Sequence, residues 1–119
     1  SMRTCVSLLI ILFMASLALA QSGMVSYEQI SIGVDAPAKS IAASTLQPPG
    51  VAPPLRCLVR VESTSVRYRL DGTAATSSLG TPLLPADEPL VLSIQDATRM
   101  SLQGNVSSKT ALVDIHCGQ

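Results

Sequence analysis

The chain has 119 residues, with 8 Lys and Arg against 8 Asp and Glu, and only 13% of its positions are charged. That neutrality gives no electrostatic basis for binding nucleic acid or a strongly acidic partner. Aromatics are 3% (Phe13, Tyr27 and Tyr68, with no Trp), too few for base stacking or an aromatic sugar platform.

The length suits one domain. Ser1 before Met2 has the form of a cloning scar. Residues 2–20 then have the form of a secretory signal. Arg3 is the positive start, residues 6–17 are the apolar core, and Ala18-Leu19-Ala20 is the small-x-small step before a cut at Gln21. A membrane helix is the rival reading, since residues 4–27 carry no charge, but Gln21, Ser22 and Gly23 interrupt the apolar run. A third reading makes Met24 the true start. In either the first or the third, the mature form has no membrane segment.

Residues 24–32 (MVSYEQISI) predict a strand or an arm. Val25, Tyr27, Gln29 and Ser31 share one side; Ser26, Glu28, Ile30 and Ile32 share the other, so the pattern is mixed. Gly33 and Asp35-Ala36-Pro37 break it, and residues 39–46 predict a second short strand. Residues 47–54 (QPPGVAPP) hold four prolines, each fixing φ and removing a donor. Residues 24–54 are therefore expected to form an extended arm and connector, more mobile than residues 55–117 and cut first between positions 47 and 54.

Residues 55–79 organise the rest. Residues 58–62 are a β-rich run. Val66, Tyr68 and Leu70 then alternate with Arg67 and Arg69, the period of a half-buried strand, and Asp71-Gly72 turns the chain. A small-residue loop over 73–78 and Gly80-Thr81-Pro82 lead to Leu83-Leu84. After the turn Pro85-Ala86-Asp87-Glu88-Pro89, residues 90–94 (LVLSI) predict a strand. Gln95-Asp96-Ala97-Thr98 predicts a turn, residues 99–102 a short strand, and Gly104-Asn105 a further turn. In the closing run, residues 110–117, one face holds Ala111, Val113, Ile115 and Cys117; the other holds Leu112, Asp114 and His116. Short strands separated by turns about every ten residues predict an all-β fold, a small antiparallel β-sandwich or barrel over residues 55–119.

Of Cys5, Cys57 and Cys117, two persist if the apolar segment is removed, and an even pair in an exported chain suggests a Cys57–Cys117 disulfide. In a reducing cytosol the same two are small apolar residues. If the strands are antiparallel neighbours with Cys57 opposite Cys117, then Val59 faces Ile115 and Val61 faces Val113, all on one face.

Chemistry-bearing motifs are sparse. His116 is the only histidine; with Asp114 it makes at best two metal ligands, and no CxxC supports zinc. There is no GxSxG, no phosphate loop and no cofactor signature, so no catalytic residue, metal or cofactor is assigned. Asn105-Val106-Ser107 is formally a glycosylation sequon. Arg67, Tyr68 and Arg69 are the candidate partner-binding residues, two cations flanking an aromatic on one strand. The bland alternative is a solvated face balanced by Glu62 and Asp71.

The run SVRYRLDGTAAT over residues 65–76, within residues 59–84, resembles a pattern in small structural proteins of tailed bacteriophages. There an arginine-aromatic-arginine strand runs into Asp-Gly-Thr, a small-residue loop, then Gly and Pro-Leu. Asp96-Ala97-Thr98-Arg99 and the closing strand over 111–115 continue the likeness, which spans roughly residues 58–115. The resemblance implies a non-catalytic virion protein, a capsid-decoration (cement) or tail-associated subunit bound to other virion subunits. A small core and an extended arm add the expectation of a homo-oligomer, a trimer being favoured. The alternative is a secreted or periplasmic β-sandwich domain that binds a protein or glycan.

Overall fold

The computed structural model describes residues 23–119; the signal-like segment lies outside the described residues. The fold is all-β. Among the described residues seven strands run in order: β1 (Met24–Gly33), β2 (Arg56–Glu62), β3 (Val66–Arg69), β4 (Thr81–Leu83), β5 (Leu90–Ser93), β6 (Ser101–Gly104) and β7 (Thr110–Gly118). Two short helices interrupt them, α1 (Ala43–Leu46) and α2 (Ile94–Arg99).

The strands form two antiparallel sheets, one of four in the order β1-β7-β2-β5 and one of three in the order β4-β3-β6. The sheets enclose one core. Ile30, Ile32, Val59, Val61, Leu92, Val113 and Ile115 enter it from the larger sheet, and Val66, Leu83 and Leu102 from the smaller. β-branched residues dominate because their stiff side chains fit a pleated, half-buried surface. Each one fully buried contributes about 1.5–3 kcal/mol before chain entropy is counted.

At the centre of the larger sheet, β2 and β7 pair with Cys57 opposite Cys117, Val59 opposite Ile115 and Val61 opposite Val113. This is the register expected from the two alternating patterns. The Cys57 and Cys117 sulfurs are bonded, with Cα atoms 4.0 Å apart, and both residues are fully buried. Between β2 and β3 the chain leaves one sheet for the other at Ser63, whose φ of 70° is left-handed.

Residues 24–54 are not an arm outside the domain. β1 pairs with β7 from Met24 to Gly33 and places Ile30 and Ile32 in the core. Its apolar pattern is mixed because its first half faces the connector rather than the core. Ser26 Oγ donates to the Thr45 carbonyl at 2.6 Å, and Glu28 Oε1 accepts from the Ala42 N–H at 2.9 Å. The strand expected over residues 39–46 is one bridge residue and a helical turn. Lys39 exchanges both backbone hydrogen bonds with Leu102, at 2.9 and 2.8 Å, and α1 follows. The proline-rich connector is tied down at its end: the Leu55 N–H donates to the Gly118 carbonyl, Gln119 Nε2 donates to the Pro53 carbonyl, and Pro54 is buried.

One further element departs from the sequence reading. Residues 95–98 are helical, not a turn, and Arg99 ends α2 rather than opening a strand. Ser93 caps this helix by accepting from the Asp96 N–H at 3.2 Å. Arg99 returns to Asp96 at 3.0 Å.

Candidate binding surface

The arginine-aromatic-arginine step lies on β3, the central strand of the smaller sheet. Alternation along β3 sends Val66 and Tyr68 to the core side and Arg67 and Arg69 to the outer side. Tyr68 packs, half-buried, against the core cluster. Arg67 Nε lies 3.0 Å from Asn105 Oδ1 and 3.1 Å from the Ser77 carbonyl, and Nη1 donates to the Gly80 carbonyl at 2.7 Å. Its guanidinium thus holds the loop over residues 73–80 onto the sheet. Arg69 pairs with Asp71 through both nitrogens it directs there, at 3.2 and 2.5 Å. That pair, with the Thr73 hydroxyl and N–H, holds the Asp71 carboxyl well below the usual carboxylate range. Arg67 is thus a clasp and Arg69 closes a turn, while the half-buried Tyr68 lines a surface hollow together with Arg69, Leu79 and Gly80.

The outer face of this sheet is roofed by its own chain. Gln103 is buried, its Nε2 within 2.9–3.1 Å of the carbonyls of Gly33, Val34 and Ala36. Ser101 Oγ accepts from the Ala75 N–H at 2.9 Å. Asn105 of the sequon is committed as well, its Nδ2 donating to Ser65 Oγ at 3.1 Å while Oδ1 holds Arg67.

Among the described residues, nothing roofs the outer face of the larger sheet in this way. Register places Tyr27 beside His116, His116 beside Leu58, and Leu58 beside Val91, one row across all four strands. Tyr27 is 55% exposed and Val91 60% exposed. The Tyr27 and His116 rings lie 4.7 Å apart. The next row is polar. The Tyr27 hydroxyl donates to Asp114 Oδ1 at 2.8 Å, and Gln29 Nε2 lies 3.1 Å from that oxygen and 3.3 Å from Glu62 Oε2.

The electrostatics follow from this geometry. The hydrogen bond to Asp114 pushes the Tyr27 phenol upward. Burial pulls the Asp114 carboxyl up, but hydrogen bonds from Tyr27, Glu62 and Gln29 outweigh it and hold the group below its ordinary value. Glu62, hydrogen-bonded to Asp114 and repelled by its charge, is raised. A proton taken up by this carboxyl pair therefore goes to Glu62 first.

Among the described residues, no group of three or more His, Cys, Asp or Glu is placed to hold a metal ion, and no helix is long and apolar enough to cross a membrane. The row Tyr27–His116–Leu58–Val91 was not assembled from sequence. Its signal was present: once Cys57, Val59 and Leu92 face inward, Leu58 and Val91 must be large apolar residues facing out. No protein-family model, curated protein or solved structure matches the chain.

Proposed function

We propose that the chain is a non-catalytic structural subunit of a virion, a capsid-decoration or tail-associated protein that attaches to other coat subunits. The observation that carries this reading is the unroofed face of the larger sheet, where Tyr27, His116, Leu58 and Val91 form a continuous row. An aromatic and two aliphatic side chains bordered on one side by Gln29, Arg60, Glu62 and Asp114 put exposed apolar area beside a polar margin, a composition that suits a protein contact. The likeness of residues 65–76 to small phage structural proteins supplies the partner class. The test is attachment to particles. Val91→Asp and Leu58→Asp should leave the fold intact, because both side chains point outward, and should abolish co-sedimentation with purified virions. Retention of both variants on particles would count against the reading.

A second reading is favoured by one observation, the buried Cys57–Cys117 disulfide. Such a bond persists in oxidising compartments, which supports an exported β-sandwich domain that binds a protein or glycan. The N-terminus of natural material separates the two. A chain beginning at Gln21 favours export; one beginning at Met24 or earlier, recovered from virions, favours the coat subunit.

A further inference from the structure

We propose that the outer edge of β1 is a docking edge for β1 of a second copy, the two strands running antiparallel about a two-fold axis at Tyr27. This stands apart from the readings above, since a coat subunit and an exported domain can each pair in this way or fail to. β1 is an edge strand, hydrogen-bonded only to β7 within its sheet. The Ser31 carbonyl accepts from Lys39 Nζ at 2.7 Å, and the Gly33 carbonyl from Gln103 Nε2 at 2.9 Å. Both donors come from outside the β1–β7 ladder. The odd-numbered residues here therefore direct their backbone groups away from β7. Tyr27 and Gln29 belong to that set, and among the described residues nothing meets their N–H and C=O groups.

The other edges are closed or short. β6 is covered by Lys39, β4 has three residues including Pro82, and β5 has four. Lys39 guards only the far end of β1, leaving its middle open. Open backbone donors and acceptors select an extended strand as occupant. The register selects this strand. With the axis at Tyr27, the two Tyr27 residues exchange both backbone hydrogen bonds, while each ring stays against its own His116 and Asp114. Glu28 then faces Ser26 of the second copy, whereas an axis at Glu28 would set two carboxylates opposite each other. The contact is isologous and closes at two copies. The trimer expected from sequence rested on a core lacking residues 24–54; with β1 in place that argument falls away. A ring of three would need two different edges.

The experiment is light scattering of the full chain over a concentration series, with two variants. The wild type should move from one to two chain masses. Tyr27→Lys, which sets two ammonium groups across the axis, should weaken self-association about tenfold or more with unchanged far-UV circular dichroism. Tyr27→Cys in a Cys5→Ser background should form a covalent dimer on mild oxidation, because a directly opposed hydrogen-bonded pair has Cα atoms about 5.5 Å apart. If Tyr27→Lys fails to fold, the cross-link alone decides. A wild type that stays monomeric, a dimer insensitive to Tyr27→Lys, or an uncross-linkable Tyr27→Cys overturns the proposal. So does a monomer whose β1 edge captures an unrelated peptide.

Discussion

Arg67 and Gly104 show how single residues fix the loops around the smaller sheet. Arg67 reaches the Ser77 and Gly80 carbonyls and Asn105 from one guanidinium. Arg67→Ala should destabilise the fold by about 1–3 kcal/mol, read as a shift in urea midpoint, because carbonyls aimed at the guanidinium lose their donors. Arg67→Lys should not rescue it, since an ammonium cannot reproduce the planar fork. Gly104 is fixed by close approach: a Cβ there would lie 2.6 Å from the Gly33 carbonyl carbon. That backbone is held in place by Gln103, so Gly104→Ala should cost about 1–3 kcal/mol through overpacking. A Gly104→Ala variant with an unchanged thermal midpoint would show that the loop over residues 33–36 yields more easily than its three bonds to Gln103 imply.

Elements were legible where a strand faces the core along its whole length. β2 and β7 each alternate cleanly, so both their existence and their register follow from sequence. β1 was obscured because Ser26 and Glu28 point inward yet meet backbone groups of the connector and α1. Helix α2 carried a readable start, Ser93 three residues before Asp96, but six residues are too few for a 3.6-residue period to register. The arginine step was legible as a strand, but the contacts of Arg67 with Ser77, Gly80 and Asn105 were not, because sequence does not reveal which loop will fold over an outward face.

The β1–β7–β2 ladder also predicts a pH response. Asp114 is depressed, so its hydrogen bonds stabilise the fold above the ordinary aspartate value, and the contribution is lost as pH falls below that value through the group's own lowered one. Glu62 is raised, so its repulsion with Asp114 weakens the fold at neutral pH and disappears as Glu62 protonates. Glu62→Gln should therefore raise the melting temperature at pH 7 and lose that advantage near pH 4. An equal gain at both pH values would mean that charge repulsion is not the cause.

For the whole molecule, the Cys57–Cys117 bond joins the two central strands of the larger sheet, with β1 and β5 outside them. It spans 60 positions, from the start of β2 to the end of β7, so β3, β4, β5 and β6 all lie within the loop it closes. On the chain-entropy model such a loop stabilises the folded state by about 4 kcal/mol, by restricting the unfolded chain. The sulfurs are fully buried, and a reductant reaches them only when the sheet opens. Two outcomes follow from the same geometry. Without denaturant, millimolar dithiothreitol should leave the bond intact for as long as the protein stays folded, and the reduction rate should track the unfolding rate as urea is added. Once reduced, the chain should refold with a much lower urea midpoint, and a Cys57→Ala/Cys117→Ala variant should match it to within the cost of the two small cavities. Rapid reduction under native conditions, with trapped thiols appearing before any loss of β-sheet circular dichroism, would show that the β2–β7 pair opens locally and that the bond does not sit inside the cooperative core.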